Sequence, residues 1–352
     1  MGRRNRKKKV LENIRITGIA DKGKSVGRAE SGEVVFMEDV APGDLVDALI
    51  LRKRKGVLQG VPVEFHEYSK ERVEPFCAHF SECGGCKWQH LSYEAQIHHK
   101  EQVVRNAMGR IGKVEIKEFL PIIGGAETQF YRNKLEFTFS NKRWLTSEEI
   151  KTDISNVEDV LGFHRAGAFD KILNIDKCFL QGDPSNKIRL AAKKIALEQK
   201  LTFYDVRKNE GLLRNIIIRT STLNEVMVIL SLQPGDAEIR NKYIDALLAA
   251  VPEITSFYYV LNPKVNDFLL DLDMILYYGT EKMTEKLGNV KFEIGPKSFF
   301  QTNTKQAEVL YDKVVEFAGL TGTENVYDLY TCLLYTSPSP RDQRGSRMPS
   351  SA

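Results

Sequence analysis

Three cysteines fall within ten residues, Cys77, Cys83 and Cys86, in the spacing C-x5-C-x2-C, and a fourth, Cys178, stands far along the chain in Lys177-Cys178-Phe179. No other feature constrains the fold as much. Gly84 and Gly85 separate the last two members of the cluster, so the loop can turn tightly enough to point successive sulfurs inward, and the distant cysteine would tie that loop to a separate strand. Four thiolates suit a tetrahedral zinc or a [4Fe-4S] cluster, and spacing alone does not separate the two. Zinc ribbons pair two C-x2-C knuckles. Only one exists here, which favours the cluster. His79 and His90 are nearby alternative ligands, although solvated loop histidines are the simpler reading of both.

A disulfide framework is not expected. The chain opens on six cations, Arg3, Arg4, Arg6, Lys7, Lys8 and Lys9, with no acid among residues 1–9, and no apolar segment follows of the length a secretory signal requires. The longest apolar run is six residues, 246–251, against about 20 for a membrane span. Sequence reasoning therefore places the protein in the cytoplasm, away from membranes, where clustered cysteines point to metal or catalysis. The formal net charge is +4, and because both ends are basic the middle of the chain is slightly acidic. A basic arm on a near-neutral body suits contact with nucleic-acid phosphates. Arg52, Lys53, Arg54 and Lys55 form a second basic cluster, readable also as a solvated hairpin tip.

At 352 residues with 42% hydrophobic content, several domains with real cores are expected. The fold class read from the pattern is a multidomain α+β chain. After the basic arm (1–9), short alternating segments at 13–19, 32–37, 45–52 and 57–63, divided by turn residues such as Gly23, Gly27, Pro42 and Gly43, predict an OB-like β-barrel over 10–63. A central α+β domain follows over 64–284, with the cysteine loop, helices near 92–111, 187–199 and 238–250, and strands near 135–139, 216–219, 226–232 and 257–261. From residue 291 the pattern becomes strand, polar turn at 301–304, helix at 305–318 and apolar strand at 326–329, the way a doubly wound α/β domain begins, and that domain is taken to open at 285. Residues 332–352 are rich in Ser, Pro and Arg without periodicity. They read as a foreign or readthrough tail.

The cysteines, together with Tyr131-Arg132-Asn133-Lys134, Ser298-Phe299-Phe300-Gln301-Thr302-Asn303 and Asp328-Leu329-Tyr330-Thr331, resemble the RNA uracil-5-methyltransferase family, most closely its branch acting on uridine in 23S ribosomal RNA. The resemblance spans residues 10–331 in order. It implies a TRAM-type barrel, a central domain whose Cys77, Cys83, Cys86 and Cys178 hold a [4Fe-4S] cluster, and the opening of a Rossmann-like methyltransferase domain over 285–331. It also implies S-adenosylmethionine as cofactor, with Gln301 and Tyr330 lining its pocket, and ribosomal RNA as partner of a monomeric protein. Arg132 and Lys134, beside Asn133, join Arg52, Lys53, Arg54 and Lys55 as candidate RNA-phosphate contacts.

One departure stands out. After Tyr330-Thr331 the family continues into a glycine-rich turn, whereas this chain reads Cys332-Leu333-Leu334. The family's nucleophilic cysteine and general-base glutamate lie downstream of that turn, so no catalytic residue is assigned. Cys332, in the tail, is not that nucleophile. The expectation is a chain whose methyltransferase domain is cut at its start and which is itself inactive. Two alternatives stand against it: a non-catalytic TRAM and iron-sulfur RNA-binding fragment, and a radical-SAM methylthiotransferase, which C-x5-C-x2-C fits poorly because those enzymes use C-x3-C-x2-C.

Overall fold

The computed structural model describes residues 9–327, apart from 21–22, 55, 146–148, 153–154, 156 and 166–169. The chain divides into two compact units, Met1–Gly125 and Ala126–Ala352.

The first unit is built on a closed five-stranded barrel. Its strands are β1 (Val10–Ile19), β2 (Ser25–Arg28), β3 (Val34–Met37), β4 (Leu45–Arg54) and β5 (Val57–Glu67), in the order β1-β2-β3-β5-β4. Every pairing is antiparallel except β3 with β5. Alternation explains the closure: Ile14 and Ile16 of β1, Val35 and Met37 of β3, and Val46 and Ala48 of β4 all point inward and are buried together, while their neighbours face out. Gly27 of β2 has no substitute, because a Cβ there would lie 2.7 Å from the Ile14 side chain and 2.8 Å from the Arg15 carbonyl oxygen.

Residues 68–92, which carry the cysteine loop, run from β5 to helix α1 (Tyr93–Asn106). Ser92 caps that helix by accepting from the Ala95 N–H, as a serine just before a helix does. The helix expected over 92–111 changes after Asn106 into a π-helical turn, Ala107–Ile111. Leu91 and Ala95 pack on Ala41, with Trp88 and Ile19 beside them, so this segment is fastened to the barrel by a small core of its own.

The second unit centres on a seven-stranded sheet. Its strands are β6 (Lys134–Lys142), β7 (Val157–His164), β8 (Ile172–Asn174), β9 (Leu213–Thr220), β10 (Val226–Leu232), β11 (Ser256–Leu261) and β12 (Ile275–Gly279), ordered β12-β11-β10-β9-β6-β7-β8. Only β10 and β11 run parallel. A parallel pair needs a crossover, which α3 (Ala237–Ala250) supplies; α2 (Ser185–Glu198) packs beside it, and the Tyr243 hydroxyl donates to the Ala192 carbonyl at 2.9 Å. Every residue of β10 is buried, as its unbroken apolar run over 226–230 requires.

A hairpin, β13 (Met283–Leu287) with β14 (Val290–Ile294), leads to α4 (Thr304–Ala318), which is capped by Asn303 and closed by Gly319 in the left-handed region. Leu310, Val314 and Phe317 of α4 are exposed. The strand expected over 326–329 is not formed at Val326 and Tyr327, which are exposed coil; no strand among the described residues lies beside them, and a strand alone is not stable. Its last two residues, and Tyr330 and Cys332, lie outside the described residues. Within those limits the parallel sheet of a doubly wound domain is not seen. No helix among the described residues is long and apolar enough to cross a membrane.

Candidate functional site

In the second unit, Asn133 joins two segments that are far apart in sequence. Its side-chain amide donates to the Gln301 carbonyl at 2.8 Å and to the Thr304 hydroxyl at 2.9 Å. Its backbone N–H donates to the Thr302 carbonyl at 2.8 Å, and its own carbonyl accepts from the Thr220 N–H at 2.9 Å. The motifs at 131–134 and 298–303 are therefore one structure, with Gln301 half-buried just before the first turn of α4.

Below this junction lies Glu285, which is fully buried. One carboxylate oxygen accepts from the Thr304 hydroxyl at 2.9 Å, and the other accepts from the Thr222 N–H at 3.0 Å and from the Thr222 hydroxyl. A buried carboxylate is tolerated only when its lone pairs are filled in this way. Arg219 completes the surround by donating to the Ser298 carbonyl at 2.7 Å. None of Glu285, Thr304 or Arg219 was identified from sequence, because each is an isolated polar residue in an ordinary strand or cap.

Arg132 and Lys134 flank Asn133 and are half-buried. Lys134 pairs in register with Arg219 across β6 and β9. Burial, followed by the Arg219 charge, pushes the Lys134 ammonium below the ordinary lysine value. The Arg132 Nε is buried and has no hydrogen-bond partner among the described residues. Three cations thus gather next to the Gln301 junction, a placement that favours an anion.

In the first unit, Arg52, Lys53 and Arg54 extend from the exposed end of β4; Lys55 lies outside the described residues. Lys53 already pairs with Glu33 at 3.0 Å, an exposed contact that costs little to exchange.

The cysteine loop is held by a buried ion pair that sequence reasoning missed. Asp44, with no exposed surface, accepts from Arg72 at Nε (2.9 Å) and Nη2 (2.7 Å), from the Ala41 N–H at 2.6 Å and from the Ser69 N–H at 2.8 Å. Burial alone would raise the Asp44 carboxyl, but these bonds and the Arg72 charge together hold it below the usual aspartate value. Cys77, Cys83 and Cys86 are half-buried, and the Gly85 N–H points at the Cys83 sulfur at 3.4 Å.

Cys178, in the second unit, is buried. Its N–H donates to the Asn186 side chain at 2.8 Å, and the Asn186 amide returns a bond to the Cys178 carbonyl at 3.0 Å. Arg189, pushed down to about 10 by burial, donates to the same Asn186 at 3.1 Å and to the Asp176 carbonyl at 2.9 Å. The four described cysteines are thiols rather than disulfides. In donor type they fit a thiolate-bound metal or cluster, yet no three His, Cys, Asp or Glu side chains among the described residues are gathered as a metal set. His90 does not behave as a solvated loop residue: it is 4% exposed and burial lowers its pKa.

Residues 11–63 match the TRAM domain family. An uncharacterized RNA methyltransferase of Bacteroides thetaiotaomicron is 47% identical over 89% of this chain and 70% of its own length, and one of Porphyromonas gingivalis is 44% identical over 90% and 70%. Among solved structures, the tRNA (uracil-54, C5)-methyltransferase of Pyrococcus abyssi in complex with S-adenosyl-L-homocysteine superposes with a TM-score of 0.60 at 25% identity, over 87% of this chain and 64% of that one. With relatives this similar aligned across both units, the chain belongs to the RNA methyltransferase family.

Proposed function

We propose that this chain forms the RNA-binding part and the cofactor-side opening of a methyltransferase that uses S-adenosylmethionine to methylate carbon 5 of uridine in ribosomal RNA. The observation that carries the reading is the Asn133 junction, because it fixes Gln301 at the start of α4 with Arg132, Lys134 and Arg219 beside it. When bound, S-adenosylmethionine supplies an electrophilic methyl group. The Gln301 amide, which can both donate and accept, orients it, and Arg132 and Lys134 hold RNA phosphates so that the target base reaches that edge. Arg52, Lys53 and Arg54 extend the phosphate track on the barrel. Tyr330 belongs to the same pocket in this reading.

Cys77, Cys83, Cys86 and Cys178 would hold a [4Fe-4S] cluster. The Gly85 N–H aimed at the Cys83 sulfur supports it, since hydrogen bonds to the sulfurs are a regular feature of thiolate-held clusters. Iron analysis after anaerobic reconstitution tests the assignment: about four irons per chain are expected, and one bound zinc without iron would overturn it. The protein is read as a cytoplasmic monomer.

Uracil chemistry sets the activity assay. A thiolate must add to carbon 6 before carbon 5 can attack a methyl group, and a base then removes the carbon 5 proton. Neither group is assigned to the described residues, so the assay uses the Bacteroides relative. Tritium should be released from RNA labelled at carbon 5 of uridine. Methylation without tritium release would refute the uracil assignment. The solved neighbour acts on tRNA, so ribosomal and transfer RNA are offered in parallel, and faster release from tRNA would replace the ribosomal reading.

A further inference from the structure

The first unit contains a cleft of about 650 Å³ where the end of β5 meets the segment carrying the cysteines. Phe65 and Tyr68 stack on one side, with ring centroids 5.1 Å apart and planes 12° from parallel. The Arg72 guanidinium lies 5.1 and 5.6 Å from their centroids. Phe80 and His90, themselves 5.3 Å apart, contribute a further wall. We propose that this cleft is a binding site for one unpaired base of single-stranded RNA, which stacks on Tyr68 and donates a hydrogen bond to His90.

Three features select a base over other occupants. A flat ring can stack on the exposed Tyr68 beside the Arg72 guanidinium, and aromatic faces and guanidinium planes are the surfaces on which unpaired RNA bases are held. The platform is rigid before anything binds, because the same Asp44 that fastens the loop grips Arg72 through two nitrogens, which lowers the ordering cost of binding. His90 also carries an unmet need. Its Nε2 is 3.4 Å from the Val40 carbonyl, which can only accept, so Nε2 bears the hydrogen and Nδ1 is left as an acceptor. That Nδ1 is buried and has no partner among the described residues. A base N–H or exocyclic amine supplies the missing donor, and the exposed Glu74 carboxylate at the cleft adds an acceptor that favours amino-bearing bases over uracil.

The inference rests on the RNA-binding reading and deepens it. Tyr68 is 68% exposed, so Tyr68→Ala should leave folding intact, and Tyr68→Trp should keep the stack. Binding of the full chain to a labelled single-stranded oligoribonucleotide is followed by anisotropy across salt concentrations, beside an oligonucleotide with abasic positions. Tyr68→Ala should weaken binding about tenfold without changing the slope of log affinity against log salt, because no phosphate contact is lost. The abasic strand should bind wild type with the same deficit, and Tyr68→Trp should stay within about twofold of wild type. Unchanged affinity in Tyr68→Ala, a flattened salt slope, or equal binding of the abasic strand would each overturn the base site. A cleft for a protein side chain would give the first of these results. Failure of the wild-type chain to bind any single strand at low salt would instead remove the RNA reading as a whole.

Discussion

Replacing Asp44 by asparagine tests how the cysteine segment is held. The substitution keeps the shape and removes the charge. The new side chain would retain one accepting oxygen, but its NH2 group would face donors, from Arg72 or from the Ala41 N–H, and those bonds would be lost. Breaking a buried pair by removing one partner typically costs about 3–5 kcal/mol. Arg72 keeps 21% of its side-chain surface in water, so the lower end applies, about 3 kcal/mol. With a urea slope of about 2 kcal/mol per molar for a unit of this size, the midpoint should fall by about 1.5 M. Loosening should also show locally, as faster reaction of Cys77, Cys83 and Cys86 with a thiol reagent in native buffer, and as weaker binding of single-stranded RNA. Acid gives an independent check. Because the Asp44 carboxyl is held below its unfolded value, its contribution is present above about pH 4 and is lost as pH falls through the folded value. The stability gap between wild type and Asp44→Asn should therefore close in acid. A midpoint shift below about 0.3 M, unchanged thiol reactivity and a gap that stays constant from neutral pH into acid would refute the reasoning.

Other substitutions probe the second unit and the barrel tip. Thr304→Val removes the hydroxyl that bridges Asn133 to Glu285 and should destabilise the second unit by about 2 kcal/mol in urea unfolding, since one bond is to a buried carboxylate; a loss no larger than that of a surface change would show the bridge to be idle. Gly162→Ala places a Cβ 2.0 Å from the Leu173 carbonyl oxygen, where β7 pairs with β8, and should cost about 3 kcal/mol, read as a lowered thermal midpoint. Alanine at Arg52 or Arg54 should reduce the salt slope of RNA binding by about one each, while Lys53→Ala should do less because Lys53 must first leave Glu33; equal effects at all three would argue against that ion pair.

The barrel was legible in the sequence because alternation and glycine-bearing turns are local signals: strands expected near 13–19, 45–52 and 57–63 are found at Val10–Ile19, Leu45–Arg54 and Val57–Glu67. α1, α2, α3 and α4 were legible from local signals as well. β2, β7, β8, β12 and β13 were missed. They are short or rich in polar residues, and their strand state comes from neighbours in the sheet rather than from their own pattern. The site divided along similar lines. Gln301, Arg132 and the cysteines were singled out through their motifs, but what positions them is tertiary. Asp44 is one aspartate in Pro42-Gly43-Asp44, a turn composition that says nothing of Arg72, and Glu285 sits in a strand where its exposure of 0% runs against its charge. Such residues become visible only once the fold shows which partners fill their lone pairs.

The bridge made by Asn133 has a consequence for synthesis on the ribosome. Its amide reaches partners 168 and 171 positions later in the chain, while β6, the strand that starts beside it, lies near the middle of the sheet. At translation rates of about 5–20 residues per second, roughly 10–30 s pass between the emergence of Asn133 and that of Gln301 and Thr304. During that interval all strands of the sheet through β12 emerge, but the Asn133 amide lacks both of its side-chain partners. The edge proposed for cofactor and RNA therefore stays open until the segment that completes it has been made, so a nascent chain would acquire its barrel well before its Gln301 edge.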